Sequence, residues 1–381
     1  MQIQSKLPNV GTTIFTVMSQ LAMRHGAVNL GQGFPDFEGP RELFDALARH
    51  VREGRNQYAP MTGVPKLREQ IALKTEKLYG RRIDADSDIT VTSGATEALF
   101  AAFAAVVRSG DEVILLDPCY DSYAPAVELN GGLCVRIPLR LPDFSVDWQR
   151  VRDAVTPRTR IILINSPHNP SGAVLHRADM DALADIVRDT GILVISDEVY
   201  EHMVFDGVPH YSVLGHDELA SRSFVISSFG KTYHCTGWKV GYCVAPPALS
   251  AEFRKVHQYL TFCTFNAAQC AIADVLESIP QHYLELPAFY QAKRDHFRSL
   301  LAGSRFQLMD VPGGYFQLVD YSAISELDDL AFCEWLVAEH KVAAIPLSPF
   351  YETAPDARLV RLCFAKNEAT LADAAERLKA V

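Results

Sequence analysis

The chain predicts an α/β fold built on a mostly parallel sheet, with a smaller α+β part at its C-terminal end. Three observations lead there. Short runs rich in β-branched and other apolar residues recur through the middle of the chain: ITVT (89–92), EVILL (112–116), RIILIN (160–165), ILVIS (192–196) and FVISS (224–228). Stretches with helical patterning lie between several of them, such as the apolar ALFAAFAAVV (98–107) and the amphipathic RADMDALADIVRDT (177–190). Continuous apolar strands separated by helices imply parallel pairing with both faces of the sheet covered. Beyond about residue 285 the texture changes. A charged helix, LPAFYQAKRDHFRSLLAG, precedes the Gly-rich VPGGYFQLVDY, a helix around DDLAFCEWLVAEH, a strand-like RLVRLCFA and a last helix, EATLADAAERLKAV. Residues 1–45 therefore read as an N-terminal arm and part of a small domain, 46–284 as a large domain, and 285–381 as the C-terminal small domain.

Composition narrows the function classes. The 381 residues are 48% hydrophobic and 22% charged, values of a globular chain long enough for two domains. A net charge of −10 without a basic stripe argues against a nucleic-acid surface. The start, MQIQSKLPNVGTTIF, lacks the basic and apolar regions of a signal peptide, and no apolar run is long enough to cross a bilayer. Eight cysteines with no CxxC pair read as reduced thiols, so a cytoplasmic location is expected. Twelve histidines without HxxxH or HExxH spacing give no reason to expect a metal.

In an open parallel sheet, ligands bind outside the carboxyl ends of the strands. Here those ends carry SGATEA (93–98), Cys119-Tyr120, SPHNPSG (166–172), DEVY (197–200) and FGK (229–231). SGATEAL opens a helix directly after a strand, and its first amides are a ready anion site, with Gly94 allowing close approach and Thr96 adding a hydroxyl. Read alone, the same residues are an ordinary helix start, with Ser93 as cap and Glu97 completing a capping box. Asp197 follows a central strand. It either caps the next helix or is a carboxylate kept ionised by a buried cation, with Tyr200 one helical turn on. Asn169 in NPSG is a turn residue or a ligand contact, and Tyr120 a core ring or one stacked on a planar ligand.

Lys231 changes this weighing. It follows Ser227 and Ser228 at a strand end, and a desolvated amine near another cation has a lowered pKa and forms Schiff bases. An amine for an aldehyde, an Asp for a pyridinium nitrogen and a helix N-terminus for a phosphate together match pyridoxal phosphate.

Taken in order, LGQGFPDF (30–37), NQYAPMTGVPKLREQIA (56–72), SGATEAL (93–99), NSPHNPSG (165–172), SDEVY (196–200), SSFGKTYHCTGWKVGY (227–242) and RLCFAK (361–366) resemble the fold-type-I, pyridoxal-phosphate-dependent aminotransferases of class I/II over essentially the whole chain. Within that family the likeness is greatest to the methionine and kynurenine/glutamine aminotransferases. The resemblance implies a mostly parallel seven-stranded sheet between helices plus a smaller α+β domain. It makes Lys231 the Schiff-base lysine and proton shuttle, and Asp197 the partner of the pyridinium nitrogen. Tyr200 and Asn169 would contact the ring's phenolic oxygen, and Tyr120 would stack on its face. The phosphate would meet Gly94, Ala95, Thr96, Ser228 and Lys239. Tyr58 would reach the cofactor of a neighbouring subunit, implying a homodimer with shared active sites. Arg361 would clamp the substrate carboxylate, a task suited to a guanidinium fork, helped by Gly33 and Asn169; otherwise it would be a surface arginine on an edge strand. Many members carry an arginine where this chain has Lys239, but the methionine and kynurenine subgroup carries lysine.

The expected activity is ping-pong transamination between an amino acid and a 2-oxo acid. Methionine is the expected donor, and aromatic amino acids, glutamine, leucine or histidine are also open. No second arginine motif suggests a dicarboxylate substrate, and Phe15, Tyr58, Tyr120 and Phe350 are candidate apolar walls. The alternatives are a cysteine-conjugate or cystathionine β-lyase on the same scaffold, or a non-catalytic pyridoxal-phosphate-binding regulator. The acidic chain, with no basic domain ahead of the arm, disfavours the regulator.

Overall fold

The computed structural model describes residues 3–381. Seven strands form the central sheet in the order Ile89–Thr92, Gly241–Val244, Ser223–Ser228, Leu193–Asp197, Thr159–Asn165, Glu112–Asp117 and Leu133–Pro138. All neighbours pair in parallel except around Gly241–Val244, which runs antiparallel to both strands beside it. The five apolar runs of the sequence are all strands of this sheet, within one residue at either end. They are continuous in apolar residues because helices cover both faces. On one side the helix Ala95–Val106 packs its alanines and Phe103 against Val113, Leu163 and Ile226.

Residues beyond the large sheet build a second one, ordered Ile345–Pro346, Leu359–Cys363, Phe316–Asp320 and Gln307–Leu308, all antiparallel. Leu359–Cys363 is a central strand, buried along its whole length, so Arg361 does not stand on an edge. The N-terminal segment contributes a helix, Ile14–His25, and a short strand, Val28–Asn29, paired in parallel with Val342–Ala343. The charged helix starts at Gln281, five residues before the apolar pattern suggested, and carries Pro287 within its first two turns. As the seventh residue it lies beyond the four N-terminal N–H groups that lack intrahelical partners, so it removes one helical bond, the one to the Tyr283 carbonyl.

No helix among the described residues is long and apolar enough to cross a membrane. All eight cysteines are free thiols.

Candidate active site

At the carboxyl ends of the parallel strands a cleft of about 300 Å³ opens towards the four-stranded sheet. The site residues expected from the sequence line it, apart from Tyr58 and the candidate wall Phe350: Phe15, Gly33, Gly94, Ala95, Thr96, Tyr120, Asn169, Asp197, Tyr200, Ser228, Lys231, Lys239 and Arg361. Tyr58 is 83% exposed and lies outside the cleft, its ring meeting Phe262 edge-on at 5.5 Å. Phe350 is buried and does not reach the cleft; it backs Phe15 at 5.6 Å.

Lys231 stands on a short helical turn, Phe229–Thr232, that continues the strand Ser223–Ser228. Its Nζ donates to the Gly33 carbonyl at 3.0 Å and to Tyr315 Oη at 2.8 Å. Burial lowers its pKa to about 8, with Arg361 and Lys239 pushing the same way while Cys363 and Asp197 oppose them. A substantial neutral fraction at mildly alkaline pH is the property a nucleophilic amine needs.

Asp197 ends the strand Leu193–Asp197 and is buried. Its Oδ2 accepts from the Tyr123 hydroxyl at 2.6 Å and its Oδ1 from the Val199 N–H at 3.3 Å. Burial raises its pKa to about 6, against the pull of Tyr123, Val199 and Lys231. It caps no helix: residues 199–202 form a turn, so Tyr200 reaches the cleft through that turn and not through helical spacing.

The helix N-terminus at the cleft differs from the capping-box reading. Gly94, at φ 82°, is the cap residue and no side chain caps the first turn. Only half of the box forms: Glu97 accepts from the Ser93 N–H at 3.0 Å, while its other oxygen meets His257 Nδ1 at 3.0 Å. The Ala95 and Thr96 end of the helix therefore faces the cleft, where the partial positive charge of the helix favours an anion. A Cβ at Gly94 would sit 3.2 Å from Lys239 Cε and 3.3 Å from Nζ, which places the exposed Lys239 amine beside that terminus. Ser228 lines the same corner.

At the opposite side Arg361 is 1% exposed. Its Nη1 donates to Asn169 Oδ1 at 2.7 Å and its Nη2 to the Gly31 carbonyl at 2.8 Å. The guanidinium lies 3.9 Å from the Phe316 ring centre and 5.1 Å from that of Phe15. Its Nε is buried with no partner, an orphan donor at a cleft wall that fits an incoming carboxylate. Asn169 is held by Asn165, whose Oδ1 accepts the Asn169 N–H at 2.8 Å and whose Nδ2 donates to the Asp197 carbonyl at 2.9 Å.

Sequence reasoning missed several of these groups. Tyr123, Asn165, Tyr315 and Phe316 each touch a predicted site residue. Asn165 was inside a quoted motif but counted as a strand end. Tyr123 opens the helix Tyr123–Leu129, and its bond to Asp197, 74 residues on, leaves no local signal in the sequence.

Comparison with known proteins agrees with this geometry. The family model for aminotransferase class I and II matches residues 26–378. A methionine aminotransferase of Escherichia coli K12 is 60% identical over 376 residues, covering 99% of this chain and 97% of that protein. A probable N-succinyldiaminopimelate aminotransferase of Mycobacterium tuberculosis is 41% identical, with 98% and 97% covered. The crystal structure of YbdL from Escherichia coli, reported with a methionine aminotransferase function, superposes with a TM-score of 0.98 at 59% identity, covering both chains fully. With the lysine, the acid, the open helix end and the buried arginine in one cleft, and a family match along nearly its whole length, the chain belongs to the class I and II aminotransferases.

Proposed function

We propose that this aminotransferase takes methionine as its preferred amino donor and returns the amino group to a 2-oxo acid in a ping-pong cycle. The observation that carries the reading is the 60% identity, end to end, with a methionine aminotransferase. The cleft supports it: Arg361 is the single arginine lining it among the described residues, and Phe15, Tyr120 and Phe316 give it aromatic walls. That lining suits an unbranched thioether better than a second carboxylate.

Class I and II aminotransferases use pyridoxal phosphate. The site fits it, because an acid disfavoured by burial, an amine with a lowered pKa and an uncapped helix end beside a lysine call for a ring nitrogen, an aldehyde and a phosphate. When bound, the cofactor supplies an electrophilic aldehyde and an electron-withdrawing ring. Lys231 would carry the cofactor and move the proton at the amino acid's Cα. Asp197 would hold a proton on the ring nitrogen, and Tyr123 would hold Asp197. Gly94, Ala95, Thr96, Ser228 and Lys239 would bind the phosphate, and Tyr120 would cover a ring face. Tyr200 and the Asn169 amide nitrogen would reach the ring's phenolic oxygen, since Asn169 Oδ1 is spent on Arg361. Arg361 would grip the α-carboxylate through its remaining N–H groups, with Gly33 and Phe15 alongside.

A homodimer in which Tyr58 reaches the other subunit's phosphate follows from the same reading. Tyr58, Tyr259, Phe262 and Phe265 form an exposed aromatic set, at 83, 86, 40 and 49% exposure. It borders the cleft, with Thr264 Oγ1 donating to the Lys239 carbonyl at 3.5 Å. The segments 1–45, 46–284 and 285–381 would serve as arm, large domain and small domain, and a cytoplasmic setting suits eight free thiols.

A donor–acceptor matrix on purified holoenzyme tests the assignment. Methionine should give the highest kcat/KM, with aromatic donors following. Strong activity with aspartate alone would overturn it, and pyruvate and a thiol released without an acceptor would point to β-elimination.

A further inference from the structure

The Lys231 amine is held in a closed triangle. Its Nζ donates to the Gly33 carbonyl at 3.0 Å and to Tyr315 Oη at 2.8 Å, and Tyr315 itself donates to the same carbonyl at 2.5 Å. Tyr315 has no freedom to move away. It is fully buried, with Tyr200 edge-on at 5.0 Å, Phe316 at 4.8 Å and Tyr290 at 5.8 Å.

A neutral primary amine has two N–H donors and one lone pair. With both donors engaged, tetrahedral geometry turns the lone pair away from Gly33 and Tyr315. That lone pair is the part of lysine that does proton transfer: the substrate Cα–H bond breaks, an N–H bond forms, and the electron pair is left to the conjugated system. A free lysine side chain otherwise samples many rotamers, and holding it in one costs conformational entropy. We propose that Tyr315 is a positioning residue that, with the Gly33 carbonyl, aims the released Lys231 amine at the substrate's Cα. This rests on the reading of Lys231 as the cofactor-linked lysine.

The phenol oxygen also bears on Lys231 ionisation. As an acceptor it favours the ammonium form, alongside Cys363 and Asp197 and against burial, Arg361 and Lys239; the Tyr200 ring faces the amine at 5.6 Å. Removing the hydroxyl therefore shifts the amine towards neutrality at a given pH while loosening its aim. A merely structural tyrosine would do neither.

The test compares Tyr315→Phe with Tyr290→Phe, whose hydroxyl has no partner. In Tyr315→Phe holoenzyme the visible absorbance of lysine-bound cofactor should persist. For the best donor found in the matrix, kcat should fall about 10- to 100-fold while KM moves less than about 3-fold. The kinetic isotope effect with Cα-deuterated donor should grow. In apoprotein stripped of cofactor, the pH midpoint for pyridoxal-phosphate uptake should drop below that of wild type. Tyr290→Phe should match wild type in all of these. Unchanged kcat and midpoint in Tyr315→Phe, equal changes in Tyr290→Phe, or loss of the visible band in Tyr315→Phe would each overturn the proposal. A Lys231→Ala protein that kept the band would instead sink the assignment of Lys231 itself.

Discussion

At the end of the seven-stranded sheet the charged groups are poorly matched to their surroundings, whereas at the four-stranded sheet the arginine is already tied down. Asp197 is raised to about 6 and Lys231 lowered to about 8, both chiefly by burial, and Lys239 stands open beside an uncapped helix end. Arg361 has two hydrogen bonds and two aromatic faces around it, with Nε left over. The first arrangement gains when a ligand brings opposite charge and a reacting carbonyl. The second is preorganised, so that binding one carboxylate needs little rearrangement. A cofactor that stays and a substrate that leaves after each half-reaction call for these two different preparations.

The contrast breaks most sharply at Lys231. Lys231→Ala should abolish the visible absorbance of lysine-bound cofactor and lower transamination about ten-thousand-fold, the upper range for losing a proton-transferring group. Retained full transamination in that variant would remove the mechanism's centre. At the other half, Arg361→Lys keeps the charge but loses the fork, and should reduce kcat/KM for the donor roughly 100-fold.

The smallest of these effects concerns stability. Because the folded Asp197 carboxyl has a pKa of about 6, above its ordinary value of 3.8, the folded chain binds the proton more tightly than the unfolded one. Its contribution is favourable below about pH 4 and is lost as pH rises through 6. Asp197→Asn apoprotein should therefore be more stable than wild type at pH 8, by about 1–3 kcal/mol, and the gap should close towards pH 5. Denaturant titrations at the two pH values read this directly. A wild-type advantage at pH 8 would show that Tyr123 and Val199 already satisfy the carboxylate.

The sequence made the cofactor half far more legible than its support. Strands such as RIILIN announce themselves because both faces are buried, and the residues that follow each one land in the cleft by topology alone. Leu133–Pro138 was missed because it is an edge strand, half-exposed with Arg136 in its middle. Gly241–Val244 was missed because it is four residues long and hidden inside a motif read for its lysines. Tyr315 and Tyr123 bond to Lys231 and Asp197 from distant parts of the chain, a relation no local pattern encodes. The capping box also misled: Ser93 and Glu97 are four residues apart where a box needs three, so Gly94, at positive φ and three before Glu97, takes the cap and leaves the amides facing the cleft.

The division of labour between the two halves is tested most directly by measuring pyridoxal-phosphate Kd and donor KM in both Lys239→Ala and Arg361→Lys. Lys239→Ala should weaken cofactor binding about 10- to 100-fold while leaving donor KM within about 2-fold in cofactor-saturated protein. Arg361→Lys should do the reverse, raising donor KM with cofactor affinity nearly unchanged. If either variant moved both constants together, the cleft would be one coupled site and the account of two separately prepared halves would be wrong.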